Sequence, residues 1–147
     1  GVIAGAAEFG SSDDRRAGVI NTLAAAGLSL IAEEVGDFTV GAGYDAAQKL
    51  LRENSLDALI CANDASAIGA LTAARELGVD VPETLSIVGF DDIEMAGWPA
   101  FNLSTINNPI DLSVEHVITL LEKRLAEPAK ASETLLIEPF FVPRGTH

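Results

Sequence analysis

The sequence predicts an α/β fold built on a doubly wound parallel sheet with helices on both faces. Three observations carry that prediction. Short apolar runs alternate with helical stretches at close spacing, the pattern of parallel strands buried on both sides. Polar residues stand directly after two of those runs, Asn63-Asp64 after the third and Asp91-Asp92 after the fourth. The carboxyl edge of such a sheet is where ligands sit. Finally, the chain has 147 residues and is 48% hydrophobic, which makes it one domain by length, large enough to bury its own core.

The elements follow in order. Residues 1–6 (GVIAGA) read as a short buried strand. A helix over 13–26 has Ser12 as N-cap, Asp13 and Asp14 at its positive end and Gly27 as its stop. Val19, Ile20 and Leu23 share one of its faces. Residues 28–35 form the next strand. Phe38 and Thr39 lead into a helix over 40–53, with Leu50 and Leu51 inward. The third strand is 57–62, and the helix 64–77 that follows is stopped by Gly78. Pro82 leads into a fourth strand at 85–90.

After Asp92 the rhythm changes. Residues 93–102, with Gly97, Trp98 and Pro99, form an irregular stretch before a brief strand at 103–106. Asn108 as N-cap and Pro109 at the first position open a helix that runs to Ala126. Val114, Val117, Ile118, Leu121 and Leu125 recur on it at helical spacing. Two short strands, 135–137 and 140–142, are broken by Pro139. The chain starts at Gly1 rather than Met and already inside an apolar strand run, so it reads as a fragment or an engineered sequence.

Charge and chemistry narrow the function. A formal net charge of −13 repels phosphate backbones, so these residues are not expected to grip nucleic acid themselves. Cys61, the only cysteine, lies in the apolar run ALICA. It cannot form an intrachain disulfide and reads as a small core hydrophobe. No apolar run reaches the roughly 18 residues that span a membrane. His116 and His147 stand away from cysteines and carboxylates at ligand spacing, so no metal is expected. No P-loop or G-x-S-x-G elbow is present. Gly41-Ala42-Gly43-Tyr44-Asp45-Ala46 matches the G-x-G-x-x-A dinucleotide fingerprint, the basis for an enzyme reading. That fingerprint needs its first glycine in the turn directly after a strand. Gly36-Asp37-Phe38-Thr39-Val40 intervenes, so the glycines are better explained by close helix packing. No catalytic residue and no cofactor is expected.

What remains is a set of unreactive polar and aromatic groups at strand ends. Phe9, Ser11 and Arg15 follow the first strand, Phe38 the second, Asn63 and Asp64 the third, and Asp91 and Asp92 the fourth. A planar cation, carboxylates, an amide and aromatic faces suit a small polar ligand with hydroxyls or ring nitrogens. Structural alternatives stand beside this reading. Ser12, Asn63 and Asp64 can equally cap helices, and Arg15 can pair with Asp13 or Asp14. Asp92 fits a loop or capping role, and Phe38 fits the core.

From end to end the chain resembles the effector-binding domain of LacI/GalR-type bacterial transcription regulators. Ser11-Ser12-Asp13-Asp14-Arg15-Arg16-Ala17-Gly18 is similar to the family's S-x-x-R-x-x-G segment. Gly36-Asp37-Phe38-Thr39 with Gly43-Tyr44 is similar to its G-D-[FW]-[ST]…G-[YF] segment. Ala62-Asn63-Asp64 with Ala67-Ile68-Gly69-Ala70 resembles A-N-D…A-[IL]-G-A. Val81-Pro82-Glu83 with Leu85-Ser86-Ile87-Val88-Gly89-Phe90-Asp91-Asp92 matches the most diagnostic phrase. Leu103-Ser104-Thr105-Ile106 and Val142-Pro143-Arg144 complete the set.

The resemblance implies a periplasmic-binding-protein-like lobe and an effector site between two such lobes. It makes Arg15, Asn63 and Asp91 hydrogen-bond partners of the effector and Phe38 the stacking aromatic. Phe9 and Ser11 fall at positions that help select the ligand, a sugar or nucleobase. It makes the protein a homodimer with Ile68 and Trp98 at the interface, although Ile68 also suits the core. Residues 1–102 would be the carboxyl-terminal lobe. Residues 103–127 would be a strand and helix that complete the first lobe, and 128–147 would return. That helix, lacking its usual partner here, would pack elsewhere, swap between chains or be mobile. Operator DNA would be bound through a helix-turn-helix outside this chain, in the cytoplasm. A periplasmic sugar-binding protein shares the two-lobe fold and is the alternative.

Overall fold

The computed structural model describes residues 1–6 and 10–147. Its strands are β1 (Val2–Ala4), β2 (Glu33–Val35), β3 (Ala58–Cys61), β4 (Ser86–Asp91), β5 (Ser104–Asn107) and β6 (Phe140–Val142). Its helices are α1 (Gly10–Ala25), α2 (Val40–Glu53), α3 (Asp64–Leu77) and α4 (Ile110–Ala126). The strands form one sheet in the order β2-β1-β3-β4-β5-β6. The first five run parallel, and β6 pairs antiparallel with β5, placing Val142 opposite Thr105. The doubly wound prediction therefore holds, with an antiparallel edge added. The connection from β1 leads outward to β2, and the next two lead back across the sheet. Right-handed crossovers then put α1 on one face and α2 and α3 on the other.

The core lies under α2 and α3. Ile3, Leu50, Leu59, Leu85, Ile87 and Leu103 are fully or almost fully buried. Two glycines let these helices approach. A Cβ on Gly43 would stand 2.4 Å from the Ser66 Cα, and one on Gly69 would stand 2.2 Å from the Val40 carbonyl oxygen. Gly43 thus serves close packing, as the displaced fingerprint suggested, whereas Gly41 has open space around it. Thr39 caps α2 by accepting from the Ala42 N–H. Gly78, at φ +69°, ends α3. Gly27, at φ +71°, ends α1, and the Leu28 N–H donates back to the Leu23 carbonyl, a Schellman closure.

Four expectations need correction. Ser12 is not a cap: α1 starts at Gly10, and Ser12 is buried within its first turn. The second strand is shorter than 28–35, because β1 offers three residues and Val2 already pairs with Glu33. Leu28 and Ile31, beyond that pairing, are exposed. Residues 135–137 form no strand. With Asn107 opposite Phe140, the sites facing them fall past the end of β5, where α4 begins. Finally, the cap position of α4 is Pro109, with no side-chain cap bond. The Asn108 side chain is instead engaged with the Asp91 carboxylate.

The α1 face is thinly covered. Ser12 is the one buried residue of α1, and Val19, Ile20 and Leu23 are half-buried. A trough of about 590 Å³ separates the helix from β1, β3 and β4. No residue of α4 is buried, and its predicted apolar stripe is exposed: Val117 at 62%, Leu121 at 56% and Leu125 at 71%.

Candidate functional site

Parallel strands deliver their following residues to one edge, and there the polar groups converge. Arg15, one turn into α1, reaches across to the ends of β3 and β4. It donates to the Ala62 carbonyl at 2.5 Å and to an Asp91 oxygen at 3.5 Å. Its guanidinium carbon stands 3.8 Å from the centroid of the Phe90 ring, a cation–π geometry. Arg15 therefore pairs with Asp91 across the edge, and the structure shows no ion pair from it to Asp13 or Asp14. Both side chains are about a quarter exposed, Arg15 at 26% and Asp91 at 27%, so a ligand can reach them.

Asn63 and Phe38 meet beside this pair. The Asn63 oxygen accepts from the Ser66 N–H at 2.9 Å and so caps α3, while its amide nitrogen donates to the Phe38 carbonyl at 3.0 Å. The capping alternative for Asn63 is thus realised, and it does not remove the residue from the edge. Phe38 has a positive φ of 65°, uncommon outside glycine. Its ring lies over Gly5, where any Cβ would stand 2.0 Å from the ring. Any larger residue at position 5 would displace the Phe38 ring. Ser11 is exposed in the first turn of α1. Phe9 lies outside the described residues.

The carboxylates divide by environment. Burial raises the Asp91 carboxyl above its ordinary range, outweighing the pull of Arg15 and of the Asn108 side chain. Burial also pushes Asp92 upward, but the Asn107 amide and the Arg144 guanidinium prevail and leave it below that range. Asp92 accepts from Asn107 at 2.9 Å and from Arg144 at 2.6 Å. It is a loop anchor, as its structural alternative had it. Asp64 is fully buried, with one oxygen on the Thr105 hydroxyl and the other on the Ile93 N–H. Burial raises the Cys61 thiol far above its ordinary value, so it stays protonated and unreactive. Among the described residues, no three His, Cys, Asp or Glu side chains gather as a metal site.

The two expected interface residues separate. Ile68 is 4% exposed and belongs to the core cluster. The core alternative is what the structure shows for it, because the α2 contact through Gly69 turns that side of α3 inward. Trp98 is 48% exposed, just after a 3-10 turn at Glu94–Gly97.

Phe90, Thr105, Gly5 and Asn108 were missed as parts of the site. Phe90 and Thr105 read as ordinary strand residues. Only strand register, which sets Val88 beside Ser104 and Asp91 beside Asn107, reveals that they face the edge residues.

A five-strand parallel sheet with an antiparallel edge and a polar carboxyl rim defines a doubly wound α/β lobe of the ligand-binding type. The family model for the periplasmic binding protein-like domain matches residues 1–147. The chain is 31% identical over 145 residues to the HTH-type transcriptional repressor PurR of Erwinia tasmaniensis, covering 97% of the chain and 42% of that protein. It is 33% identical over 115 residues to the ribose operon repressor of Escherichia coli K12, covering 78% of the chain and 35% of that repressor. The solved CelR–cellobiose complex superposes with a TM-score of 0.92 at 29% identity, over 99% of this chain and 46% of that one. The chain belongs to the periplasmic binding protein-like family. It spans less than half the length of these relatives.

Proposed function

We propose that this chain is the effector-binding lobe of a cytoplasmic, dimeric transcription regulator. The observation that carries the reading is the Arg15–Asp91 pair, held half-open at the carboxyl edge beside Asn63 and Phe38. A rigid donor fork against a carboxylate acceptor suits vicinal hydroxyls or ring nitrogens. The aromatic face of Phe38 suits the apolar side of a sugar or nucleobase. Residues 1–102 form one wall of the site in this reading, and 103–127 cross to a first lobe that supplies the other. Residues 128–147 return. Trp98 is an anchor of the homodimer interface in this reading, whereas Ile68, packed in the core, is not exposed for it in the single chain. Ser11 and Phe9 help select the ligand.

Effector binding between the lobes would shift the population between DNA-competent and DNA-incompetent dimers. The acidic lobe itself does not carry the operator contact. No step makes or breaks a covalent bond, so the reading contains no catalytic residue.

The test is calorimetric titration of the full-length protein with D-ribose, cellobiose and hypoxanthine, paired with operator binding with and without each compound. Saturable binding that changes operator affinity is the expected result. Binding without any effect on operator DNA would favour a transport or chemosensory receptor. The 147-residue chain alone, with a single wall, is expected to bind weakly, and micromolar affinity for it would contradict the two-wall site.

A further inference from the structure

We infer that Asp64 is the positioning residue of the candidate site: its buried carboxylate pins the turn after β4 and thereby aims Asp91 at Arg15. The inference rests on the effector-binding reading and adds to it a residue that touches no ligand.

The geometry is a node joining three elements. Asp64 opens α3, is fully buried, and sends one oxygen to the Thr105 hydroxyl of β5 at 2.5 Å. Its other oxygen accepts from the Ile93 N–H at 2.9 Å. Ile93 directly follows two non-glycine residues with positive φ, Asp91 at φ +110° and Asp92 at φ +56°. Residues held in such regions persist when their surroundings over-determine them. Here the turn is fixed on both sides. Arg144 and Asn107 hold the Asp92 carboxylate, and Asp64 holds the next amide. Asp91, at the end of β4 and directly before these anchors, is left facing Arg15.

The sequence makes room for this node. A Cβ on Gly89 would stand 2.1 Å from the Asp64 oxygen, so the glycine of the Gly89-Phe90-Asp91-Asp92 run clears a place for a carboxylate. A group that is buried, paired on both oxygens and granted space by a neighbouring glycine is not merely a helix cap. The cap of α3 is already Asn63.

The test uses Asp64→Asn, Thr105→Val and Thr105→Ser. An amide at 64 keeps the shape but removes the charge and turns one acceptor into a donor. With its oxygen on the Ile93 N–H, its NH2 must donate to the Thr105 oxygen, reversing that bond and leaving the Thr105 O–H without its acceptor. The first measurement needs no ligand: NMR of the 147-residue chain follows the Asp91 carboxyl carbon and the Arg15 Nε–H signal. Both are expected to move in Asp64→Asn and Thr105→Val and to return in Thr105→Ser. Should Asp64→Asn fail to fold, the Thr105 pair decides alone. If the variants lower only the melting temperature while both signals stay in place, Asp64 is a structural residue and the inference is wrong.

The second measurement titrates full-length protein with D-ribose and cellobiose. Asp64→Asn and Thr105→Val are expected to weaken whichever sugar binds by about tenfold, the size of one misaimed charge-assisted hydrogen bond, with Thr105→Ser close to wild type. A wild-type protein that ignores both sugars would count against those effectors, and the NMR arm would still decide the role of Asp64. A bound sugar with unchanged affinity in Thr105→Val would overturn the inference while leaving the effector reading intact.

Discussion

Arg15 stands over Phe90, its guanidinium carbon 3.8 Å from the ring centroid, while its nitrogens reach Ala62 and Asp91. The ring fixes the plane of the fork and so the direction in which its remaining N–H groups point. Phe90→Leu keeps apolar volume and removes the π face. On the effector-binding reading proposed above, its expected effect in the full-length protein is about threefold weaker effector binding, the lower range for a cation–π contact. Arg15→Lys is expected to cost tenfold or more, because an ammonium cannot bridge the Ala62 carbonyl and the Asp91 carboxylate as a planar fork does. Calorimetry of the two variants checks the order, and a harmless Arg15→Lys would remove Arg15 from the site.

The Asp92–Arg144 pair gives a pH signature. Its carboxyl lies below the ordinary range in the fold, the Asn107 and Arg144 contacts outweighing burial. Its contribution is therefore present above the unfolded carboxylate value of about 3.9. It is lost as pH falls through the depressed folded value. Arg144→Gln is expected to lower stability by about 2 kcal/mol at pH 7, the scale of a hydrogen bond to a charged group. The difference from wild type should shrink below about pH 4. Denaturant melts at several pH values read this directly. Asp91 has the opposite sign: with its carboxyl raised, its ionisation opposes folding, and stability falls as pH rises through that value.

Two glycines of one motif should respond in opposite directions. Gly43→Ala drives a Cβ into the Ser66 backbone at 2.4 Å and is expected to cost roughly 1–3 kcal/mol by overpacking. Gly41→Ala meets nothing within 4 Å and should stabilise α2 by about 0.5–1 kcal/mol through helix propensity. Chemical denaturation midpoints separate the two. Equal losses at both sites would point instead to a shared binding role for the pair.

Strand and helix order was legible because burial on both faces writes apolar runs into the chain, and Gly27 and Gly78 mark helix ends by their positive φ. The bounds of α2 and α3 were readable from Thr39 and Asn63, whose side chains cap them. Strand length was not legible where it depends on a partner elsewhere: 28–31 and 135–137 are apolar enough for strands, yet no strand among the described residues pairs with them. The rim residues Arg15, Asn63, Phe38 and Asp91 could be named because each follows a strand. Their division of labour could not. That Asp64 is buried, that Asp92 belongs to Arg144 and that Phe90 underlies Arg15 all depend on register between segments distant in sequence. Ile68 shows the converse, since an apolar residue on a helix face carries no mark of whether the core or a partner covers it.

The last prediction concerns α4. A helix of 17 residues with no buried side chain draws almost nothing from tertiary packing, and isolated helices of that length are marginal in water. Its stripe of Val114, Val117, Ile118, Leu121 and Leu125 is exposed along its whole length, and contiguous apolar surface of this kind commonly marks a site that another surface covers. In a dilute solution of this chain, the Val117 and Leu121 amides are expected to exchange quickly, while those of Leu71 and Ile87 in the core exchange slowly. Protection at Val117 and Leu121 that grows with protein concentration would mean that stripes pair between copies. Strong protection in a dilute monomer would mean that α4 docks on its own lobe, for which the trough beside α1 is the available apolar surface. In a longer protein that carries a first lobe, both amides should be protected at any concentration if 103–127 completes that lobe, and unchanged exchange there would refute that assignment.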